Sequence, residues 1–158
     1  MKSEMMHTVK KEDLQIVTSR VFNAPRKLMW EVLLDPKHVP NWWGPGYLTT
    51  VVDKMDTKVG GEWRFVQSDK DGNVYAFNGV YKEITPMDRV VQTFEFEMMP
   101  GHIIVETMNL EDAEGGTRMT NISQFASRED LEGMLASGME EGDREGSDRL
   151  YALLESLQ

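Results

Sequence analysis

The sequence predicts an α+β domain in which a curved antiparallel sheet of about seven strands wraps around a long C-terminal helix, with two short helices after the first strand. Three observations predict this class. Strand-like runs dominate residues 48–125, short turn sequences separate them, and residues 127–157 return to helical spacing. Since no crossover helices interrupt the runs, neighbouring strands are expected to be antiparallel.

The first strand and the two short helices follow from residues 14–42. Residues 14–22 (LQIVTSRVF) are rich in β-branched side chains, which favours a strand. Asn23 and Pro25 supply a helix start, because asparagine caps helices and proline is tolerated in a first turn. An Asp-Pro pair ends that helix. A short second helix is expected over residues 38–42, before a Gly-Pro-Gly stretch stops it.

The chain is expected to begin with a short leader, followed by one domain whose middle consists of strands. Residues 1–13 carry charges but lack the apolar stretch of a secretory signal, so they are expected to form a loose leader. The remaining residues, 14–158, have about the length of one domain and are expected to form a single one. Six further strands are expected, at residues 48–55, 62–67, 74–84, 89–97, 103–111 and 117–125.

The predicted C-terminal helix carries a row of glycines. A capping box at residues 127–130 precedes apolar residues at helical spacing, and Tyr151 is expected on the polar face. Gly138, Gly142 and Gly146 fall at i, i+4 and i+8, and each glycine inside a helix costs about 1 kcal/mol relative to alanine. Two explanations stay open: close packing or a kink near Gly138, or a space kept free between helix and sheet.

Composition and charge exclude several classes of protein. The chain of 158 residues has no cysteine, which rules out disulfides, thiolate nucleophiles and Cys-ligated metals. A net charge of −10 would repel nucleic acids and anionic membrane surfaces. No window reaches the roughly 18–20 consecutive apolar residues of a membrane helix. A cytoplasmic location is therefore expected, with no nucleic-acid partner and no membrane insertion.

Motifs of familiar catalytic and cofactor sites do not occur. His7, His38 and His102 are scattered, without the spacing of a zinc-binding helix. The sequence contains no GxSxG elbow, no phosphate-binding GxxxxGKS or GxxxxGKT and no dinucleotide-binding GxGxxG. It therefore predicts neither a metal nor a cofactor.

Four stretches of the chain resemble a known superfamily. They are FNAPRKLMWEVLLDPKHVPNWWGP (22–45), MDTKVGGEWRF (55–65), YAFNGVYKEITPMDRVV (75–91) and GMEEGDREGSDRLYALLESL (138–157). In this order they resemble the START/SRPBCC superfamily, whose helix-grip fold is shared with birch-pollen-allergen-like proteins. Within that superfamily the chain is similar to bacterial homologues of the activator of heat-shock-protein-90 ATPase.

The resemblance implies a cavity between sheet and C-terminal helix, and a small hydrophobic molecule as its ligand. It implies no particular reaction, because the superfamily includes carriers, cyclases and hydroxylase subunits. Contact with a chaperone is a second expectation from the same resemblance. One residue departs from the family pattern: Asp143 stands where members often carry a bulky apolar side chain, and it either admits water or is simply solvated.

The wall of the expected cavity is assigned from apolar alternation in the strands and from the glycine row. The adjacent Trp42 and Trp43 cannot share one face, so we expect either one in the core and one at the rim, or both wedged into the core. Asn121 interrupts an apolar strand face and either orients a ligand or is hydrogen-bonded within the core. The expected ligand-binding residues are Trp42, Trp43, Tyr75, Phe77, Tyr81, Phe94, Phe96, Met108, Asn121, Met134, Gly138, Met139 and Gly142.

A non-catalytic carrier or sensor is the expected function, and an enzyme is the alternative. In an enzyme of the polyketide cyclase or dehydratase kind, Glu106 or His102 would act as acid or base while Asn121 orients the substrate. Glu106 shares a strand face with Ile104 and Met108. On a concave face burial would raise the pKa of its carboxyl, whereas on a convex face it is an ordinary surface acid, which is the expectation here.

Overall fold

The computed structural model describes residues 3–158, so the first two residues of the expected leader lie outside the described part. A turn of 3₁₀ helix, Lys11–Asp13, precedes the second strand. The four α-helices are α1 (Arg26–Leu34), α2 (Val39–Trp42), α3 (Arg128–Ala136) and α4 (Met139–Ser156). The strands are β1 (Met6–Lys10), β2 (Gln15–Phe22), β3 (Thr49–Met55), β4 (Glu62–Ser68), β5 (Val74–Thr85), β6 (Arg89–Phe96), β7 (Ile104–Ala113) and β8 (Gly116–Gln124).

The strands form one curved, open sheet of eight strands in the order β1-β2-β8-β7-β6-β5-β4-β3. Every neighbouring pair is antiparallel, as the short turn sequences predict. The long connection from β2 to β3 contains α1 and α2. This is the predicted fold class, with one strand more than expected.

The additional strand comes from the segment expected to be a loose leader, residues 1–13, and that expectation is wrong for Met6–Lys10. β1 pairs with β2 along its whole length, with His7 opposite Thr18. Met5 is buried and His7 and Val9 are half-buried, while Met6 and Thr8 between them are exposed. This short alternation of inward and outward side chains is the strand pattern that the sequence contained.

The expected continuous C-terminal helix is two helices. Ser127 caps α3 as predicted, its side chain accepting a hydrogen bond from the Asp130 backbone N–H at 3.1 Å. The chain then breaks at Gly138, whose φ of +81° belongs to the left-handed region that glycine adopts without strain. Because α4 starts afresh after the break, the helical phase differs from that of one long helix. Tyr151 is consequently buried instead of lying on the polar face.

The concave face of the sheet is identified by its contacts with the helices. Phe22 of β2 packs with Leu150 of α4, and Ile16 of the same strand packs with Leu131 of α3. Residues directly opposite each other in an antiparallel pair share a face. The register therefore also places on the concave face Thr18, Asn121 and Met108 in one row, and Ser123, Glu106 and Gln92 in the next.

In the part of the chain that is described, no helix is both long and apolar enough to cross a membrane.

The buried core consists of three clusters around the edge of the concave face. One cluster joins α1 and α4 to the sheet, another joins α2 to β4 and β5, and the third joins α3 to β2 and β7. Their largest fully buried members are Phe22, Met29 and Leu150; Trp63 and Tyr81; and Ile16 and Leu131.

Candidate ligand-binding site

Between the three clusters, side chains in the middle of the concave face stay partly accessible although α4 lies over the sheet. We call this space the concave hollow. A Cβ atom added at Gly142 of α4 would meet no atom of the described residues within 4 Å, so that side of the helix also leaves room. The half-buried residues of the sheet around the concave hollow are Thr18, Gln92, Phe94, Glu106, Met108, Asn121 and Ser123.

Two carboxylates from opposite walls interact across the concave hollow. Glu106 comes from β7 and accepts a hydrogen bond from the Ser123 hydroxyl at 3.3 Å. Burial raises the pKa of the Glu106 carboxyl to about 7, and repulsion from the Asp143 carboxylate of α4 adds to the rise. The expectation that Glu106 is a surface acid on a convex face is therefore wrong, because the register with Ser123 and Gln92 places it on the concave face.

Asp143 is exposed to solvent, although protein atoms lie close to its carboxyl. Its side chain belongs to an exposed residue, yet burial raises the pKa of its carboxyl to about 6. The two observations agree if protein surrounds the carboxylate on most sides while solvent enters from the remaining one.

Aromatic rings form one wall of this region. Trp43 lies edge-on to both Phe65 and Phe77, with ring centroids 5.1 and 5.2 Å apart. Phe77 in turn contacts Phe94 at 5.4 Å and Phe96 at 5.1 Å. These are distances at which aromatic pairs attract each other. The wall is therefore a continuous apolar surface from the end of α2 to β6.

The two adjacent tryptophans face different neighbours, as their spacing requires. Trp42 packs against the clusters around Leu150 and Trp63, and its indole Nε1 is buried with no hydrogen-bond partner in the part of the chain that is described. Trp43 instead joins the aromatic wall with Phe65 and Phe77. Both indoles are half-buried, so neither is a fully enclosed core residue.

Arg149 of α4 fixes the loop that carries the tryptophan pair. Its guanidinium donates to the backbone carbonyl oxygens of Gly44, at 2.7 Å, and Pro40, at 3.1 Å. From the sheet side, the Thr50 hydroxyl donates to the Trp43 carbonyl at 3.2 Å. The loop after α2 is thus bound to both the helix and the sheet.

We expect Arg149→Met to lower the free energy of unfolding by about 1–3 kcal/mol, because two backbone carbonyls lose a charged donor. Hydrogen exchange in residues 40–46 should accelerate more than elsewhere, which mass spectrometry after deuterium labelling measures. Arg128→Met is the matched control, since Arg128 is exposed and pairs only with Glu132 among the described contacts of its side chain. Equal exchange in both variants would contradict the role given to Arg149.

The three glycines of the predicted row have three different explanations. Gly138 breaks the helix. A Cβ at Gly146 would lie 3.2 Å from the Trp42 carbonyl oxygen and 3.3 Å from the Gly44 nitrogen, so Gly146 permits close packing of α4 on the loop. Gly142 borders open space within the described part of the chain, as Gly138 does at the helix break. Both explanations left open by the sequence therefore apply, each to a different residue.

The structure brings most of the predicted site residues together, with some exceptions. Tyr81 lies on the concave face opposite Gln92, but it is buried beside Trp63 and is part of the core. Met134 and Met139 pack against the cluster around Ile104, at the edge of the concave hollow. Gly138 is exposed at the helix break. The residues that the register and contacts place on or against the concave face are Trp42, Trp43, Tyr75, Phe77, Phe94, Phe96, Met108, Asn121 and Gly142.

His102 does not join Glu106. It lies on the loop between β6 and β7, is half exposed, and its Nδ1 is 2.7 Å from Oδ1 of Asp130 in α3. The hydrogen bond found for Glu106 goes to Ser123. The two candidate acids and bases of the sequence therefore have separate partners, and only Glu106 faces the concave hollow.

Several polar residues of the concave hollow were missed by sequence reasoning. Thr18, Gln92 and Ser123 are half-buried on the concave face, and His7 lies beside Thr18 in β1. Gln92 and Ser123 interrupt strand faces that are otherwise mostly apolar, and the pattern that pointed to Asn121 would have found them. Thr18 shares its face with Arg20, and His7 lies in the segment expected to be a leader, so that pattern would not have found these two.

Two open surface depressions lie elsewhere. One, of about 520 Å³, lies at the end of β5 and β6 and includes Arg89 and Asn109. The other, of about 770 Å³, lies at the loop before β4 and includes Lys54 and Gly60. Neither contains an aromatic side chain or a residue of the concave hollow, and we assign no function to either.

Comparison with known proteins gives consistent results. A family model described as Activator of Hsp90 ATPase homolog 1-like protein matches residues 23–155. A solution structure of a protein from Arthrobacter aurescens is 29% identical, with a TM-score of 0.89, covering 96% of this chain and 91% of that one. No curated protein matches the chain.

Two crystal structures show the same fold at lower identity. A protein from Rhodobacter sphaeroides has a TM-score of 0.90 at 21% identity, covering 97% of this chain and 99% of the other. Protein Ms6760 from Mycobacterium smegmatis has a TM-score of 0.85 at 23% identity, covering 94% and 95% of the two chains.

A curved antiparallel sheet that holds a C-terminal helix over a partly open concave face defines a ligand-binding domain of the helix-grip class, the START/SRPBCC superfamily. The family match covers most of the chain. The chain belongs to the family of Activator of Hsp90 ATPase homolog 1-like proteins.

Proposed function

We propose that this protein binds a small, largely apolar molecule in the concave hollow, as a non-catalytic carrier or sensor. The observation that carries the proposal is the accessibility of residues that a closed core would bury: Phe94, Met108 and Asn121 stay half-buried beneath α4. Protein interiors are normally packed to crystal density, so accessible side chains under a helix indicate room for a guest.

The aromatic wall supports an apolar body for that guest. Trp43 and Phe77 present ring surfaces, and Met108 is an adaptable thioether close to the same cluster. Asn121 would supply an amide to orient a carbonyl or hydroxyl group of the ligand. We propose the predicted ligand-binding residues named above that lie on or against the concave face as contacts of the ligand.

Tryptophan fluorescence tests the proposal directly. A panel of lipids, flavonoids and polyketide-like aromatics should include compounds that shift or quench the emission, because Trp42 and Trp43 border the site. Saturable changes with a definite dissociation constant are expected for some of them. A panel without any saturable change would contradict ligand binding.

The helix position Gly142 offers a matched pair of variants. Gly142→Ala should raise the free energy of unfolding by about 0.5–1 kcal/mol, because alanine favours helix and its Cβ meets no atom. Gly142→Leu should weaken binding of any panel ligand by about ten-fold or more, since the larger side chain extends into the space the ligand needs. Urea unfolding measures the stability change in the alanine variant, and calorimetric titration measures the affinity of the leucine variant. Unchanged affinity in the leucine variant would count against this location of the site.

An enzyme is the second candidate, and the position of Glu106 favours it. A carboxyl with a pKa of about 7 can donate or accept a proton near neutral pH. Asn121 lies in the neighbouring row of the same face, where it would hold a substrate oxygen. His102 has no part in this version, because its partner is Asp130. Turnover of a bound panel compound, lost in Glu106→Gln while binding persists, would establish it.

Chaperone contact and a cytoplasmic location remain proposals that depend on the family description and on composition. A chaperone ATPase assay with and without the protein tests the first. Stimulation that survives Gly142→Leu would separate that activity from ligand binding.

A further inference from the structure

We propose that the concave hollow selects a guest with a protonated amine on an apolar, preferably aromatic, body, and that Glu106 and Asp143 recognise the amine from opposite walls. This inference rests on the proposed ligand-binding function and names the class of ligand. It differs from the purely hydrophobic guest that the superfamily resemblance implies.

The first argument is the charge of the two walls. Glu106 projects from β7 and Asp143 from α4, and the two carboxylates repel each other across the concave hollow. Within residues 3–158, no lysine or arginine forms an ion pair with either of them. The nearest arginine on the concave face of β2, Arg20, is already bound to Asp148 at 2.8 Å. Two like charges without a counter-ion favour a cationic guest.

The second argument is independent of the carboxylates. His7 lies on the concave face of β1, opposite Thr18, and its side chain is only 8% exposed. Its Nδ1 faces Glu140 of α4 at 3.7 Å, whereas its Nε2 is buried and has no hydrogen-bond partner among residues 3–158. A buried ring nitrogen normally has a partner. With Nδ1 turned to a carboxylate, Nε2 is the acceptor of the ring, and an ammonium N–H is a suitable donor to it.

The third argument concerns the apolar part of the guest. Aromatic rings attract cations as well as apolar groups, so aromatic rings close to two carboxylates suit an amine attached to an aromatic body. The wall formed by Trp43, Phe77 and Phe94 adjoins the row that carries Glu106, because Phe94 lies opposite Ile104, two residues before Glu106 in β7.

Binding of an amine should release protons. Burial raises the pKa of Glu106 to about 7 and that of Asp143 to about 6. Near pH 6.5 each carboxyl is therefore protonated in a fraction of the molecules. A cation beside the carboxyls favours their charged forms and lowers the pKa of each. The other titratable or charged groups around the concave hollow are His7 of β1, Arg20 of β2, Tyr81 of β5 and Glu140 of α4.

Three matched probes test the inference by isothermal titration calorimetry. They are 2-(1-naphthyl)ethylamine, 2-(1-naphthyl)ethanol and 1-naphthaleneacetate, which are similar in shape and differ in charge. At pH 7.5 the amine should bind about ten-fold tighter than the alcohol, and the acetate should bind most weakly. At pH 6.5 the heat of amine binding should depend on the ionisation enthalpy of the buffer, showing proton release, while the heat of alcohol binding should not.

Isosteric variants show which carboxyls cause the preference for the amine over the alcohol. Glu106→Gln and Asp143→Asn should each reduce the ratio of amine to alcohol affinity by about three-fold or more, and the double variant should abolish it. Glu141→Gln removes an exposed charge from the same helix and should leave the ratio unchanged. Circular dichroism confirms that each variant is folded.

The possible outcomes distinguish the inferred preference for an amine from the proposed ligand-binding function. Equal affinity for the amine and the alcohol, or a preference that survives the double variant, would overturn the amine inference and leave ligand binding intact. Failure of all three probes would overturn the inference, and only the absence of binding across the wider fluorescence panel would also remove the proposed function.

Discussion

Replacing Trp63 by alanine is expected to lower the free energy of unfolding by about 3–5 kcal/mol. Trp63 is 1% exposed, packs on Phe65 with ring centroids 4.9 Å apart, and donates its indole N–H to the Thr93 carbonyl at 3.2 Å. Truncation would leave a large cavity and an unpaired carbonyl. Since a domain of this size has a margin of about 5–15 kcal/mol, the variant would lie near its unfolding threshold.

Urea unfolding followed by circular dichroism measures this change without depending on tryptophan emission. Tyr47→Ala is the matched control, because Tyr47 is 74% exposed and its truncation should change stability by less than about 0.5 kcal/mol. Gly79→Ala should also destabilise strongly, since a Cβ there would overlap the Thr93 carbonyl oxygen and the Trp63 indole. A loss below about 1 kcal/mol in Trp63→Ala would contradict the packing described for this cluster.

The second large effect is a stabilising one: Glu106→Gln should raise the free energy of unfolding by about 1–3 kcal/mol at pH 8. In the folded protein the pKa of Glu106 is about 7, whereas the ordinary value is 4.5. Between these values the folded chain holds a proton that the unfolded chain has released. Wild-type stability should therefore fall as the pH rises from about 5 to about 8, and the glutamine variant should lose this part of the decline.

Asp143→Asn should act in the same direction at lower pH, because burial raises the pKa of Asp143 from 3.8 to about 6. Glu97→Gln should change the free energy of unfolding in the opposite direction. A side-chain hydrogen bond from Arg64 holds the pKa of Glu97 below its usual range, so that carboxylate stabilises the fold at neutral pH and the benefit is lost in acid. Thermal unfolding between pH 5 and pH 8 compares the three variants. A wild-type curve that rises across this range would refute the assignment of Glu106.

The sequence predicted the fold well because local patterns determine it. Strand limits agree to within a few residues, for example 62–67 against Glu62–Ser68, since strand-like runs end at clear turn residues. β1 was missed because a run of five residues between charged segments resembles a leader. The break at Gly138 was only one of two alternatives, because a glycine in a helical pattern does not reveal the sign of its φ angle.

The candidate site was predicted less completely because it depends on contacts between distant segments. The face on which Glu106 lies follows from its pairing with Ser123 and Gln92, which the pattern within β7 does not contain. Its repulsion from Asp143 joins a strand to a helix and has no signature in either segment. By contrast, the aromatic alternation of Phe77 with its neighbours is local, and the structure places it on the concave face as one wall.

Arg149 affects how a guest molecule would enter and leave the concave hollow. Since its two hydrogen bonds join α4 to the segment of residues 40–46, that segment cannot swing aside as an independent flap. Helix and segment would then move together, which also requires the hydrogen bond from Thr50 of the sheet to the Trp43 carbonyl to break, and Gly138, where α4 meets α3, is the natural hinge for that movement. The rate of guest exchange would then be governed by that hinge instead of by the tryptophan side chains.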